Sequence, residues 1–489
     1  MSGGIISWGV YLPYWRLQRS AIGATLGTAG GKGTRSVASY DEDTTTLGAE
    51  AARRALAALA GDGEAPDDLF FSTPLPAYLD KTNATVIHTA LDLPAAGGAY
   101  DMIGSVRSGA ATLRSALAGA GERRSLAVLA DLRTGLAGGA EERDSGDGAA
   151  AFVFGEGPGV VAELVGYASA TAEFLDRWRA PGDLDSRVWE ERFGEEVYVP
   201  LVEAAWAAAL KRAGALPGEV DHVAVAGLHS RAVQASRRAL GTRPEANVPD
   251  RSAEIGNLGA AQAGLGLADA LERAEAGALI ALVVVADGAD VFLWRTTSAL
   301  AAARASRLAA GLAPVSELAA EGHDLPYARF LTWRGQLQRD PPRRPDPERP
   351  GAPATWRSTP WKGSFKASEC RACGFRHLPP ARVCLRCRSV DEMDEIALAG
   401  VGGRVATFTV DRLAFSLSPP VVGVIVDFDG GGRYRCEVTD VDPEAIGIGT
   451  RVEMTFRRLF TAKGVHNYFW KARPAGDTPA GPDIGGHDS

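Results

Sequence analysis

Four cysteines fall within eighteen residues, as Cys370-x-x-Cys373 and Cys384-x-x-Cys387. A C-x-x-C pair presents two sulfurs on one side of a tight turn, and two such turns supply the four thiolates that zinc takes in a tetrahedral structural site. Gly374 permits the first turn, and Pro379 and Pro380 reverse the chain between the pairs. Four protein ligands leave no open position, so the expected metal is structural, not catalytic. A redox C-x-x-C stands alone after a strand and not in duplicate, and disulfides are foreign to the reducing compartment inferred below. The fifth cysteine, Cys436, reads as a small buried hydrophobe on a strand. Residues 1–369 contain no cysteine at all.

The rest of the chain must position any further chemistry. At 489 residues it exceeds one hydrophobic core, so two or three domains are expected. A formal charge of -8 argues against a nucleic-acid footprint. No apolar run is long enough to span a membrane, and the start, MSGGIISWGVYLP, reads as a first strand and not as a secretory signal. A cytoplasmic protein is therefore expected.

Up to about residue 335, β-rich runs (125–132, 150–157, 221–228, 278–287) alternate with Ala- and Leu-rich helical stretches (47–60, 202–214). That alternation predicts an α/β domain with helix-covered sheets. Asp43, Thr44 and Thr45 suit the N-cap of the helix over 47–60. The proline-rich, charged segment 336–356 is expected to be extended and non-helical. From about 396, short strands at close spacing predict a small barrel. The resulting domain boundaries are 1–335, a linker at 336–359, a zinc ribbon at 360–395, a barrel at 396–474 and a disordered tail at 475–489. No short sequence repeat is visible, and a structural duplication of the first domain would not be legible in this way.

GVYLPYWRLQRSAIG (9–23) and RSVASYDEDTTTLGAEAARRAL (35–56) resemble 3-hydroxy-3-methylglutaryl-CoA synthases, archaeal ones in particular. The resemblance continues at GDGAAAFVFGEG (146–157), FLDRWRAPGD (174–183), RFGEEVYVP (192–200) and EIGNLGAAQAGLGLADAL (254–271). It implies a five-layered αβαβα thiolase fold, a dimer, and a pantetheine tunnel for an acyl-CoA. The C-terminal part resembles the zinc-ribbon and OB-fold β-barrel domains that accompany thiolase-like proteins. In archaeal relatives such a domain is a separate subunit bridging a thiolase and a synthase; here it is fused.

The same resemblance exposes departures. The family's nucleophilic cysteine aligns with Val106 in DMIGSVRSGAATLRSAL, and a valine forms no thioester. Ser105 is one residue out of register. The family's acid/base glutamate would lie near Pro74, where no glutamate occurs. The catalytic histidine corresponds to His229, displaced by about two residues, and the asparagine to Asn257 in IGN. Without a thiolate there is no acyl-enzyme. Two readings follow. One is an acyl-CoA enzyme of aldol or retro-aldol type, resembling thiolase-like steroid side-chain aldolases that work with a zinc-ribbon/OB partner. It would use His229 as base, Asn257 and N–H groups around Gly256 as oxyanion donors, and Tyr78 or Tyr100 as an added hydroxyl. The other is a non-catalytic scaffold that partners an active thiolase or hydratase subunit.

Overall fold

The computed structural model describes residues 3–59, 65–121, 123–342, 345 and 347–475. It divides into two units, Met1–Pro345 and Asp346–Ser489. The disordered tail expected at 475–489 lies, beyond Ala475, outside the described residues.

The first unit is built on a nine-stranded mixed sheet. Its order is Gly98–Ile103, Asp68–Thr73, Ser125–Asp131, Gly148–Gly155, Gly4–Tyr11, Ala162–Ala170, Ala289–Thr296, Leu279–Val285 and His222–Gly227. The sheet joins at its middle through only two residue pairs, Gly4–Glu163 and Ile5–Ala162. Each side of that seam repeats the same ladder. A parallel pair (Asp68–Thr73 with Ser125–Asp131; His222–Gly227 with Leu279–Val285) is followed by two antiparallel pairings toward the seam. The outermost strand of the first half, Gly98–Ile103, has only a vestige in the second, a single parallel bridge from Val223 to Asn247. The domain is therefore an internal duplication, which sequence did not display.

The helices Ser108–Gly119 and Ala260–Arg273 pack on each other, and the second touches strands of both halves. Helices Thr44–Ala57 and Glu191–Ala213 cover the outer faces. This gives the αβαβα layering. It also explains the unbroken apolar run at 278–287. Ile280, Leu282 and Val284 enter the central core, while Leu279, Ala281, Val283 and Val285 enter the outer one. A strand buried on both faces has no reason to alternate. Close packing of the central helices requires glycine at 109, where an added Cβ would lie 2.9 Å from the Ala260 carbonyl. Asp43 caps Thr44–Ala57 in a capping box with Thr46, although a shorter helix, Arg19–Leu26, precedes it.

The second unit opens with a helix, Ala352–Ser364, where the sequence pointed to extended chain up to residue 359. Pro353 sits in the first turn, whose N–H groups lack intrahelical partners in any case. The far end is pinned by tertiary packing that local sequence cannot show. Fully buried Phe365 meets Phe428, Tyr434, Phe469 and Trp470, and Trp470 donates its indole N–H to the Gly363 carbonyl at 2.8 Å. Ribbon strands Lys366–Cys370, Arg376–His377 and Met393–Ala397 follow. A closed barrel completes the unit in the order Gly403–Asp411, Val421–Phe428, Arg433–Val438, Val465–Pro474, Arg451–Ala462. In Val421–Phe428 alternate residues are buried, the period of a one-sided strand.

Candidate functional site

A cavity of about 410 Å³ opens in the first unit. The loop between Gly98–Ile103 and Ser108–Gly119 brings Ser105 and buried Val106 to it. The end of His222–Gly227 brings His229, and the turn after Asp68–Thr73 brings Pro74. A short hairpin, Arg177–Trp178 paired with Arg187–Val188, brings Asp176 and Arg177. A second cavity of about 650 Å³ is also lined by His229, together with Asn257, Gln234 and Ser230.

His229 caps the helix Ser230–Ala239: its Nδ1 accepts the Ala232 N–H at 3.0 Å. An imidazole nitrogen that accepts carries no proton, so the neutral ring holds its proton on Nε2. In that tautomer Nε2 carries the ring's N–H. Nε2 lies 4.0 Å from Asp176 Oδ1, an oxygen buried without a hydrogen-bond partner. The other carboxylate oxygen accepts Tyr198 O–H at 3.4 Å. Burial, then the nearby Asp176 charge, pushes the Tyr198 hydroxyl well above its ordinary pKa, so it stays a protonated donor. Gly194 lets its helix abut this group, because a Cβ there would come within 2.6 Å of Nε2.

Val106 and His229 thus share one cavity, and His229 and Asn257 share the other. Asn257 also ties the site together, its side-chain N–H donating to the Gly227 carbonyl at 2.8 Å and its oxygen accepting Gly259 N–H at 3.0 Å. The Gly256 N–H, read from sequence as an oxyanion donor, is taken by the Ser252 carbonyl at 3.1 Å. Tyr78 and Tyr100 line neither cavity; Tyr100 is half-exposed and stacks on Phe70. Asp176, Arg177 and Tyr198 were not singled out from sequence, although they lie in two segments, 174–183 and 192–200, that carried the family resemblance.

In the second unit the four cysteines converge, their sulfurs all within 4.8 Å of one another and two pairs at 3.6 Å. A tetrahedron with Zn–S of about 2.3 Å has sulfurs about 3.8 Å apart, so the donor set fits zinc. Gly374 and Arg388 adopt left-handed backbone (φ 70° and 64°) just after each pair and close the two turns. Burial pushes the Cys436 thiol up to about 12, which leaves it inert.

Residues 362–394 match the ChsH2 rubredoxin-like zinc ribbon, and residues 395–457 match the ChsH2 C-terminal OB-fold domain. A DUF35 domain-containing scaffold protein of Methanothermobacter thermautotrophicus is 32% identical over 125 residues, covering 24% of this chain and 93% of that protein. The chain belongs to the DUF35 family. Its DUF35 unit is joined to a domain homologous to hydroxymethylglutaryl-CoA synthases. The synthase of Aeropyrum pernix is 28% identical over 315 residues, 62% of this chain and 87% of the synthase. The structure of an HMG-CoA synthase complexed with CoA superposes with a TM-score of 0.57 at 19% identity, covering 68% of this chain and 89% of that one, and establishes the thiolase fold. Among the described residues no helix is long and apolar enough to cross a membrane.

Proposed function

We propose that this DUF35-fused, synthase-like protein binds an acyl-CoA and makes or cleaves a carbon–carbon bond β to the thioester without an acyl-enzyme. The observation that carries this is the pairing, beside a valine in the nucleophile's position, of an Nε2–H donor on His229 with an unpartnered carboxylate oxygen on Asp176. In the cleavage direction Asp176 takes the proton of a β-hydroxyl. The β-oxygen becomes a carbonyl, the Cα–Cβ bond breaks, and its electron pair moves into an enolate on the thioester. His229 Nε2–H, on the residue that lines the same cavity as Asp176, holds the enolate oxygen. Asp176, now a carboxylic acid, returns the proton to Cα, and an aldehyde or ketone leaves with a shortened acyl-CoA.

A scaffold reading has its own support, since a DUF35 relative is described as a scaffold protein. The charged groups among the lining of the first cavity, Arg133, Asp176, Arg177, Arg179 and His229, favour chemistry, because charges held away from water are costly unless a ligand or partner answers them. Within this reading the protein works in the cytoplasm as a dimer or beside a thiolase or hydratase subunit, with the DUF35 unit serving the same CoA ester.

The decisive experiment incubates the full chain with a β-hydroxyacyl-CoA and measures carbonyl release, alongside intact-mass spectrometry after exposure to acetyl-CoA. Carbonyl release with no acyl increment on residues 1–335 is expected. A stable acyl adduct there would refute a mechanism without a covalent intermediate.

A further inference from the structure

Arg107 follows Val106 directly in the chain, yet it lies outside the cavity that holds Asp176. It lines a separate opening of about 590 Å³ that shares Ile103 and Ser105 with that cavity. Every nitrogen of its guanidinium has an acceptor, and all the acceptors lie in the second half of the sheet. Nε donates to Asp290 Oδ2 at 2.8 Å and Nη1 to the Asp287 carbonyl at 2.6 Å. Nη2 is shared among the Ser169 hydroxyl, the Ala170 carbonyl and the Thr171 hydroxyl. Asp290 is itself fixed, because its other oxygen accepts the Tyr167 O–H at 2.8 Å. Gly288 makes room for the contact: an added Cβ there would lie 2.6 Å from Arg107 Nη1. A planar fork of five donors can grip several acceptors at once, so Arg107 fastens the loop that carries Ser105 and Val106 to the turn at Asp287.

That turn reaches the base. Asp287 lines the first cavity and has left-handed backbone (φ 47°), a conformation that persists in a non-glycine residue where neighbours hold it. Its N–H donates to the Tyr198 oxygen at 3.4 Å, and the Tyr198 O–H donates to Asp176 Oδ2 at 3.4 Å. The tyrosine hydroxyl therefore bridges the turn and the carboxylate. A continuous series of bonds runs from Arg107 through the Asp287 backbone and Tyr198 to Asp176. It leaves Asp176 Oδ1 without a protein partner, open to a substrate proton. Displacing a reacting group by about 1 Å costs up to ~10²-fold in rate, so the setting of this carboxylate matters.

We propose that Arg107 is a positioning residue for Asp176, acting through the Asp287 turn and the Tyr198 hydroxyl without touching the substrate. The proposal rests on the cleavage reading above, in which Asp176 is the base. Its test is a double-mutant cycle on the full zinc-loaded chain, with carbonyl release from a β-hydroxyacyl-CoA measured per folded molecule. Arg107→Ala is expected to lower kcat by roughly 10- to 100-fold with KM nearly unchanged. Tyr198→Phe, which deletes one oxygen, should lower kcat in the same way. The double variant should lose no more than the more damaging single one, because both changes cut the same series of bonds. Arg107→Lys offers one nitrogen in place of three and should fall between Arg107→Ala and wild type. If Arg107→Ala does not fold, Arg107→Lys with Tyr198→Phe completes the same cycle. Losses that multiply in the double variant overturn the proposal, as does a loss confined to KM or a wild-type kcat in the Arg107 variants. Each of these leaves the cleavage reading standing. Absence of carbonyl release from wild-type protein removes that reading and the proposal together.

Discussion

Asp176→Asn is expected to lower the rate of β-hydroxyacyl-CoA cleavage by roughly 10²- to 10⁴-fold, the range for losing a positioned general base. Asparagine keeps the shape of the side chain and an oxygen for the Tyr198 hydroxyl, but it cannot take a proton. The loss should fall on kcat, with KM nearly unchanged, because the group acts on the proton being transferred and not on the bound thioester. His229 separates the mechanisms more sharply. Its Nδ1 is occupied by the Ala232 N–H, so its service is an N–H directed from Nε2. Ala at 229 should cost roughly 10²- to 10³-fold, as for removal of one oxyanion donor. Gln at 229 supplies an amide N–H and should recover a substantial part of that loss. Steady-state kinetics on the three variants decides the matter. A His229→Gln enzyme as inactive as His229→Ala, beside an Asp176→Asn enzyme of wild-type rate, would make His229 the base and reverse the assignment.

The second large effect concerns the DUF35 unit. Stripping zinc from the four-cysteine site should unfold the ribbon that runs from Lys366 to Ala397, while the first unit keeps its protection. Binding to structural zinc sites of this kind is worth on the order of 10–16 kcal/mol in isolated zinc-finger peptides. The ribbon has little else to hold it, since its strands are two to five residues long. The residues around the metal include exposed Phe375, Val383, Leu385 and Val390, so no sizeable apolar core supports the turns. Hydrogen exchange read by mass spectrometry, before and after chelation, should show fast exchange confined to that segment of the ribbon. Cys373→Ser should give the same pattern without a chelator. A metal-free ribbon with native protection would show that the fold stands without the ion.

The metal site was legible in the chain because its ligands are local: two pairs with fixed spacing, on turns that Gly374 helps to close, need no distant partner. The alternation of the first unit was legible for a similar reason, since the runs at 125–132 and 278–287 are apolar enough to be strands buried on both faces. The reading that the family's nucleophile is replaced rests on the resemblance together with the identity of residue 106. What sequence could not settle is whatever depends on distant segments meeting. The pairing of Asp176 with His229 joins a hairpin to a strand end more than fifty residues away. The tautomer of His229 depends on which backbone N–H its ring reaches, which the order of residues does not show. The duplication lives in strand order, which leaves no mark on composition. The helix at 352–364 forms in a proline-rich stretch because Phe365 is buried among aromatic residues from the far end of the barrel. Local chemistry is written in the order of the residues, whereas proton positions and the pairing of distant side chains are set by neighbours that only folding supplies.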